Sequence, residues 1–253
     1  MPDSDYMLSA EEIFLYAIVG ILVGLSKGGL GGPVPVALTV PLMTLIIDPQ
    51  IAVALVLPLL IFADVFALYF YWRQWDRHYI VLMMAPGLIG VALGALVLDA
   101  IDAATLKRVI GSLTLLALAF KISSDRLASL AYQPRTWHGY FAGWASGFGS
   151  TLANVGAPPF TAYLLLQPKM TPRRFVGTTT LFFAVMNLTK VPSFIALDLF
   201  DYDRLLSIAW VFLLIPPAVL VARRLIDRIN QQVFELMMMI PLAVLSVVLL
   251  LSG

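Results

Sequence analysis

Apolar sequence fills this chain almost from end to end, and two stretches rich in glycine and proline break it at matching places. The first reads Gly24-Leu25-Ser26-Lys27-Gly28-Gly29-Leu30-Gly31-Gly32-Pro33-Val34-Pro35. The second reads Gly143-Trp144-Ala145-Ser146-Gly147-Phe148-Gly149-Ser150-Thr151-Leu152-Ala153-Asn154-Val155-Gly156-Ala157-Pro158-Pro159. A hydrocarbon core holds no water to satisfy free N–H and C=O groups. Irregular backbone at that depth is tolerated only where it lines a cavity or meets a ligand. Short apolar segments broken by Gly and Pro, once in each half, mark the substrate site of a secondary transporter.

The composition supports a membrane setting. Hydrophobic residues make up 60% of the 253 and charged residues 12%, about half the charged share of a soluble domain. Runs such as Ile51–Phe70, Ile80–Leu98, Leu205–Ala222 and Val233–Leu251 have the length of roughly 20 residues that a spanning helix needs. The first ten residues carry no positive charge, so no signal-peptide n-region is expected. There is no cysteine, which excludes disulfides and thiolate chemistry. A net charge of +1 without a basic tract gives no reason to expect nucleic acid. No metal site or cofactor is expected, and no phosphate-binding P-loop motif is present.

Read coarsely, the apolar segments are 11–26, 33–47, 50–72, 80–98, 103–120, 137–150, 158–168, 173–197, 204–222 and 232–251. The expected fold is therefore all-α and integral to the membrane, with about ten helical segments in two inverted repeats of five. Segments 1 and 2 are roughly 24 and 22 Å long, short of the roughly 30 Å hydrocarbon core. Segments 6 and 7 are shorter still. Each pair reads as a broken, V-shaped unit with its tip near the midplane, and the other three segments of each half read as full spans.

The halves are related by sequence. Gly20, Gly24 and Gly28 fall four apart, as do Gly139, Gly143 and Gly147. Asp48-Pro49-Gln50 matches Thr171-Pro172-Arg173, and in that register Asp64 and Asn187 both lie 15 residues past the proline. The glycine ladders also suit close helix packing of the small-xxx-small kind, which leaves the Gly-Gly and Pro clusters at the tips unexplained. An odd number of segments per half inverts one half against the other. The domains expected are a first repeat over 1–120, a cytoplasmic linker over 121–136 and a second repeat over 137–253, all in one membrane unit. With the N-terminus outside, inside loops hold eleven cations besides Lys27, and outside loops hold three (Lys107, Arg108 and Arg204). The positive-inside rule then puts both termini on the outer face of the inner (plasma) membrane.

Three features together resemble the TauE/SafE sulfite-exporter family, also called the toluene sulfonate uptake permease family. They are the first segment with Gly-Gly-Pro at its break, the echo of that segment in the second half, and Asn187-x-x-Lys190-x-Pro192. The resemblance covers nearly the whole chain. It implies transport of sulfite or organosulfur anions such as sulfonates, with import in some members and export in others.

The chemistry of the tips also stands on the residues themselves. An ionisable side chain inside the membrane is costly and marks function by default; Lys27, Asp64 and Lys190 are the three here. Helix starts after Gly32 and Gly156 aim partial positive charge and N–H donors at the same level. The expected substrate site comprises Ser26, Lys27, Gly28, Gly29, Gly31, Gly32 and Asp64 from the first half. From the second half it takes Trp144, Ser146, Gly147, Phe148, Gly149, Ser150, Thr151, Asn154, Gly156, Asn187 and Lys190. Such a set suits an anion with several acceptor oxygens: a sulfonate or sulfite, equally a carboxylate or phosphate. The bland alternatives are that Asp64 only neutralises a lysine as a buried pair, and that each hydroxyl only bonds its preceding turn. Trp144 and Phe148 could form a ring-lined pocket, whereas Tyr69–Trp75 and Trp137 read as interface belts. His78 and His138 read as solvated loop residues.

The function expected is alternating-access transport of a small organosulfur anion by a non-enzyme. The alternatives are a carrier of another small anion such as a carboxylate, or an anion channel. An intramembrane enzyme needs paired carboxylates or a nucleophile with a base inside the membrane, and only one intramembrane carboxylate is present. The partners expected are the anion and the lipid bilayer; a homo-oligomer is compatible with the sequence.

Overall fold

The computed structural model describes residues 8–30, 32–129, 134–167, 170–225 and 228–253. Gly31, and Lys169 from the count of inside cations, fall outside these residues. The described chain is all-helical. In order come α1 (Ala10–Lys27), α2 (Val34–Met43), α3 (Pro49–Phe70), α4 (Arg77–Ala100), α5 (Ala103–Ser129), α6 (Thr136–Ala153), α7 (Ala157–Leu165), α8 (Pro172–Ala196), α9 (Tyr202–Ser207), a 3-10 stretch Ala209–Leu214, α10 (Ile215–Leu225) and α11 (Gln231–Ser252).

Local chemistry sets the helix starts. Asp48, Asp76, Thr171 and Asp201 each accept a hydrogen bond from a backbone N–H in the first turn of the helix that follows, replacing a partner the helix cannot supply. Pro49 and Pro172 occupy the first helical position, where a missing N–H costs nothing. The equivalence of Asp48-Pro49 and Thr171-Pro172 in the sequence is thus an equivalence of caps.

Among the described residues, five helices are long and apolar enough to cross a membrane: Pro49–Phe70, Arg77–Ala100, Ala103–Ser123, Pro172–Ala196 and Val233–Ser252. These are segments 3, 4, 5, 8 and 10. Segment 9, expected as a full span, is instead broken into α9, the 3-10 stretch and α10. Pro216 and Pro217 explain the break. Both lack the N–H that would continue an α-helix, and their rings crowd the carbonyls one turn earlier. The polar stretch expected as a linker over 121–136 is helical as far as Ser129, as a continuation of α5.

Helix packing pairs one half of the chain with the other. α1 packs on α10 and α6 on α4; α2 packs on α11 and α7 on α5; α3 packs on α8 and α5 on α11. The glycine ladders form the first two of these contacts. A Cβ added at Gly20, Gly24 or Gly28 would come within 2.4–2.5 Å of Val211, Ala218 or Ala222. One added at Gly143 or Gly147 would come within 2.4 Å of the Met83 carbonyl oxygen or 2.0 Å of that of Gly87. Lipid gives helices no hydrophobic reason to associate, so close backbone approach supplies the attraction.

The two ends of the bundle carry different contacts. At one end Gln50 Nε2 donates to the carbonyls of Leu98 (3.0 Å) and Ile101 (3.2 Å), and Arg108 donates to the carbonyl of Gly253. At the other end Arg174 pairs with Asp76 at 3.6 Å, and the Asp76 N–H donates to Thr178 Oγ1 at 2.9 Å. Lys121 pairs with Glu235 at 3.1 Å, and the Arg223 guanidinium lies 3.8 Å from the centre of the Phe70 ring.

Candidate functional site

The two breaks are built differently. After α1, Gly29 (φ 99°) and Gly32 (φ 55°) take left-handed backbone, which a side chain would strain. Ser26 Oγ donates to the Gly32 carbonyl at 2.6 Å and staples this turn shut. After α6, Asn154 takes the left-handed conformation (φ 53°, ψ 26°) as the C-cap. The chain then returns so closely that a Cβ on Gly156 would lie 2.1 Å from the Ser146 carbonyl oxygen. Neither α2 nor α7 has a side-chain cap at its start. Pro35, Pro158 and Pro159 remove N–H donors from the first turns of these helices, so the exposed-amide cradle expected there is thin. Polar side chains carry the donors instead.

Both breaks line one cavity of about 160 Å³. Ser26, Lys27, Gly29 and Gly32 come to it from the first break, Ser150 and Asn154 from the second, and Asn187 from α8. Two lysine networks flank it. In the first, Lys27 Nζ is ion-paired to Asp64 Oδ1, and Asn187 Nδ2 donates to Asp64 Oδ2 at 2.8 Å. Asp64 and Asn187 are each 2% exposed. In the second, Lys190 is fully buried at 0% exposure. Its Nζ donates to the Ser150 carbonyl (3.1 Å), to Ser150 Oγ (3.1 Å) and to Asn154 Oδ1 (2.9 Å).

These bonds determine what the cavity offers a ligand. Lys190 has three donors, and protein oxygens accept all of them. Ser150 Oγ accepts from Lys190, which leaves its own O–H to donate elsewhere. Asn154 accepts at Oδ1, and its Nδ2 reaches the Val53 carbonyl at 3.5 Å. Lys27 lines the cavity directly. Lys27, Lys190 and Asp64 give the site two basic groups and one acidic group. A buried charge of this kind needs a counter-charge or a dense set of hydrogen bonds.

The remaining expected site residues lie elsewhere. Asp64 and Lys190 stand one layer behind the cavity wall, joined to it by the bonds above. Gly28 and Gly147 pack against α10 and α4. Gly149 accepts the Val155 N–H and closes the second break from within. Thr151 donates to the Gly147 carbonyl at 2.9 Å, bonding its own preceding turn. Ser146 Oγ is buried with no hydrogen-bond partner among the described residues. Trp144 and Phe148 stack on each other, ring centres 5.5 Å apart and 16° from parallel, on the α6 face that meets α4 at Gly90. They do not line the cavity.

The aromatic wall comes instead from α8. Phe175, Val176, Thr179, Thr180 and Phe183 line the cavity, as does Thr161 of α7. None of these residues stands in the set expected from the sequence. Their signal was the helical spacing itself: Phe183, Thr180 and Thr179 precede Asn187 by four, seven and eight residues, which is one helix face. Thr161 and Thr179 direct their hydroxyls to carbonyls one turn earlier.

Among the described residues no cluster of metal-ligating side chains is present. No match is found among curated proteins or among solved structures. The family model of the sulfite exporter TauE/SafE matches residues 16–249, and the chain belongs to that family of membrane transport proteins.

Proposed function

We propose that this chain is a secondary transporter of small organosulfur anions, a sulfonate or sulfite, working by alternating access between two inverted repeats of five segments. One observation carries this reading. Both glycine-proline breaks and Asn187 line one cavity together with Lys27, and behind its wall stand Asp64 and Lys190, so the site holds one more basic group than acidic. The anion supplies the missing counter-charge, held by Lys27, the Ser150 hydroxyl and the Asn154 and Asn187 amides. Lys190 orients Ser150 and Asn154 and adds its field.

The contact pattern supports the repeat. Exchanging the halves turns α1 on α10 into α6 on α4, and α2 on α11 into α7 on α5. The pairs α3 with α8 and α5 with α11 map onto themselves. Residues equivalent by a two-fold relation meet only on its axis, and Asp64 and Asn187 are bonded to each other. The helix pairs α1–α2 and α6–α7 are then the V-shaped units.

The end of the bundle that gathers Arg73, Arg77, Lys121, Arg173, Arg174, Arg223 and Arg224 is the cytoplasmic one under the positive-inside rule. Both termini then lie on the outer face of the inner (plasma) membrane. The cavity extends from Asn187 along α8 to Phe175, about 18 Å toward that end. In that orientation the cavity lies on the cytoplasmic side of the bond between Asp64 and Asn187.

The test is a thermal-shift screen of the purified protein with sulfite, alkyl and aryl sulfonates, sulfate and carboxylates. A ligand that binds only the native state raises the melting temperature by mass action. A shift confined to sulfur oxyanions supports the reading, and a shift confined to carboxylates replaces the substrate class. Saturable, exchangeable flux in liposomes separates a carrier from a channel.

A further inference from the structure

The α8 wall of the cavity has a counterpart on α3 that is closed. In the register that matches Pro49 with Pro172, Val176, Thr179, Thr180 and Phe183 correspond to Val53, Val56, Leu57 and Leu60. The first four line the cavity. Of the second four, Val53, Val56 and Leu57 are wholly buried at 0% exposure, in a core they share with Leu152, Val155 and Phe194. Only Leu60 reaches the cavity.

The two walls start from the same point and run opposite ways. Asp64 and Asn187 are bonded at that point. From Asn187 the α8 wall leads to the end where Asp76 meets Thr178. From Asp64 the α3 wall leads to the other end, where Gln50 holds the carbonyls of Leu98 and Ile101. The second break sits against this wall, with Asn154 Nδ2 3.5 Å from the Val53 carbonyl.

We propose that Val53, Val56, Leu57 and Leu60 line the second half of the substrate route, shut in this conformation and opened when the α8 wall closes. The inference rests on the transport reading and names residues for the half of the cycle not seen here. The walls also differ in chemistry. Thr179 and Thr180 bring hydroxyls where α3 carries Val56 and Leu57. Wetting an aliphatic wall is disfavoured relative to wetting one that bears hydroxyls. The α8-open form is therefore the resting form of the empty protein, and Val56 and Leu57 hold the other route shut.

The chain has no cysteine, so single cysteines report without background. Val176→Cys and Val53→Cys, each in lipid nanodiscs that expose both faces, are treated with a charged methanethiosulfonate reagent and no ligand. The cysteine at 176 is expected to react at least tenfold faster than the one at 53. Val56→Thr with Leu57→Thr is then added to each reporter. The rate at 53 should rise at least threefold while the rate at 176 does not rise, as a population shift requires. Thr179→Val with Thr180→Leu, which transplants the α3 residues onto α8, should act in the same direction and covers the case in which the first pair fails to fold. Equal rates at the two positions in the parent overturn the proposal. So does an unchanged rate at 53 with both pairs, or a parallel rise at 53 and 176, which means general loosening. No anion is present, so these outcomes are separate from the sulfonate screen that tests the transport reading.

Discussion

Asn187 donates its amide to Asp64 Oδ2 across 2.8 Å, and these two residues occupy the same place in the two halves of the sequence. The carboxylate thereby ties the two halves together: one oxygen meets Lys27 of the first half and the other the Asn187 amide of the second. Asp64 and Lys27 neutralise each other, and Lys190 has only neutral oxygens as partners. That asymmetry separates the roles of the two lysines and can be tested.

Lys190→Met should abolish anion binding while the protein still assembles. Removing Lys190 strands no carboxylate, because Asp64 keeps Lys27. What is lost is three hydrogen bonds; the Ser150 carbonyl keeps the Asn154 N–H, so Asn154 Oδ1 is the buried acceptor left without its donor, at a cost of about 1–3 kcal/mol. Binding by calorimetry and melting temperature are to be measured on the same sample. Binding within threefold of the parent ends the functional assignment of Lys190, and loss of folding favours a structural role.

Asp64→Ala should damage stability more than Lys190→Met does. It leaves the half-buried Lys27 charge without its partner, and breaking a buried pair from one side costs about 3–5 kcal/mol. The double change Lys27→Met with Asp64→Leu removes both charges and should recover much of that stability without recovering anion binding. A double change as unstable as Asp64→Ala alone would show that the pair is not the source of the loss.

Gly156→Ala should be more disruptive than Gly149→Ala, although both glycines belong to the second break. The added methyl at 156 meets backbone oxygen at 2.1 Å, and at 149 it meets oxygen at 3.2 Å. Overpacking against backbone costs about 1–3 kcal/mol. Thermal unfolding in detergent compares the two; equal losses would mean that the return of the chain at Gly156 is looser than described.

A reporter active only in the cytoplasm should be silent when fused after Gly253. The Gly253 carbonyl accepts from Arg108, at the end of the bundle with few cations. An active fusion reverses the membrane orientation and with it the face on which the cavity opens.

Much of this protein was legible in the order of its residues. Apolar runs of fixed length, interrupted by Gly-Gly-Pro and Gly-Ala-Pro, locate helices and breaks because hydrogen-bond satisfaction in hydrocarbon is a local demand. The matched caps Asp48-Pro49 and Thr171-Pro172 and the matched Asp64 and Asn187 were visible for the same reason. Pro216-Pro217 was equally local, and its effect on segment 9 could have been read from the missing N–H groups.

Which side chains face the cavity was decided only by packing. Trp144 and Phe148 sit in the second glycine-rich stretch yet stay off the cavity, on the part of α6 whose backbone packs against Gly90 of α4. Phe175 and Phe183 lie outside both stretches yet line the cavity, because the bond between Asn187 and Asp64 turns that face of α8 inward. The pairing of Lys27 with Asp64, and of Lys190 with neutral oxygens, likewise depends on distances between segments far apart in the chain. A helix face has a direction only once its neighbours are placed, so the sequence determined the breaks and the matched polar residues, and tertiary structure decided which side chains line the cavity.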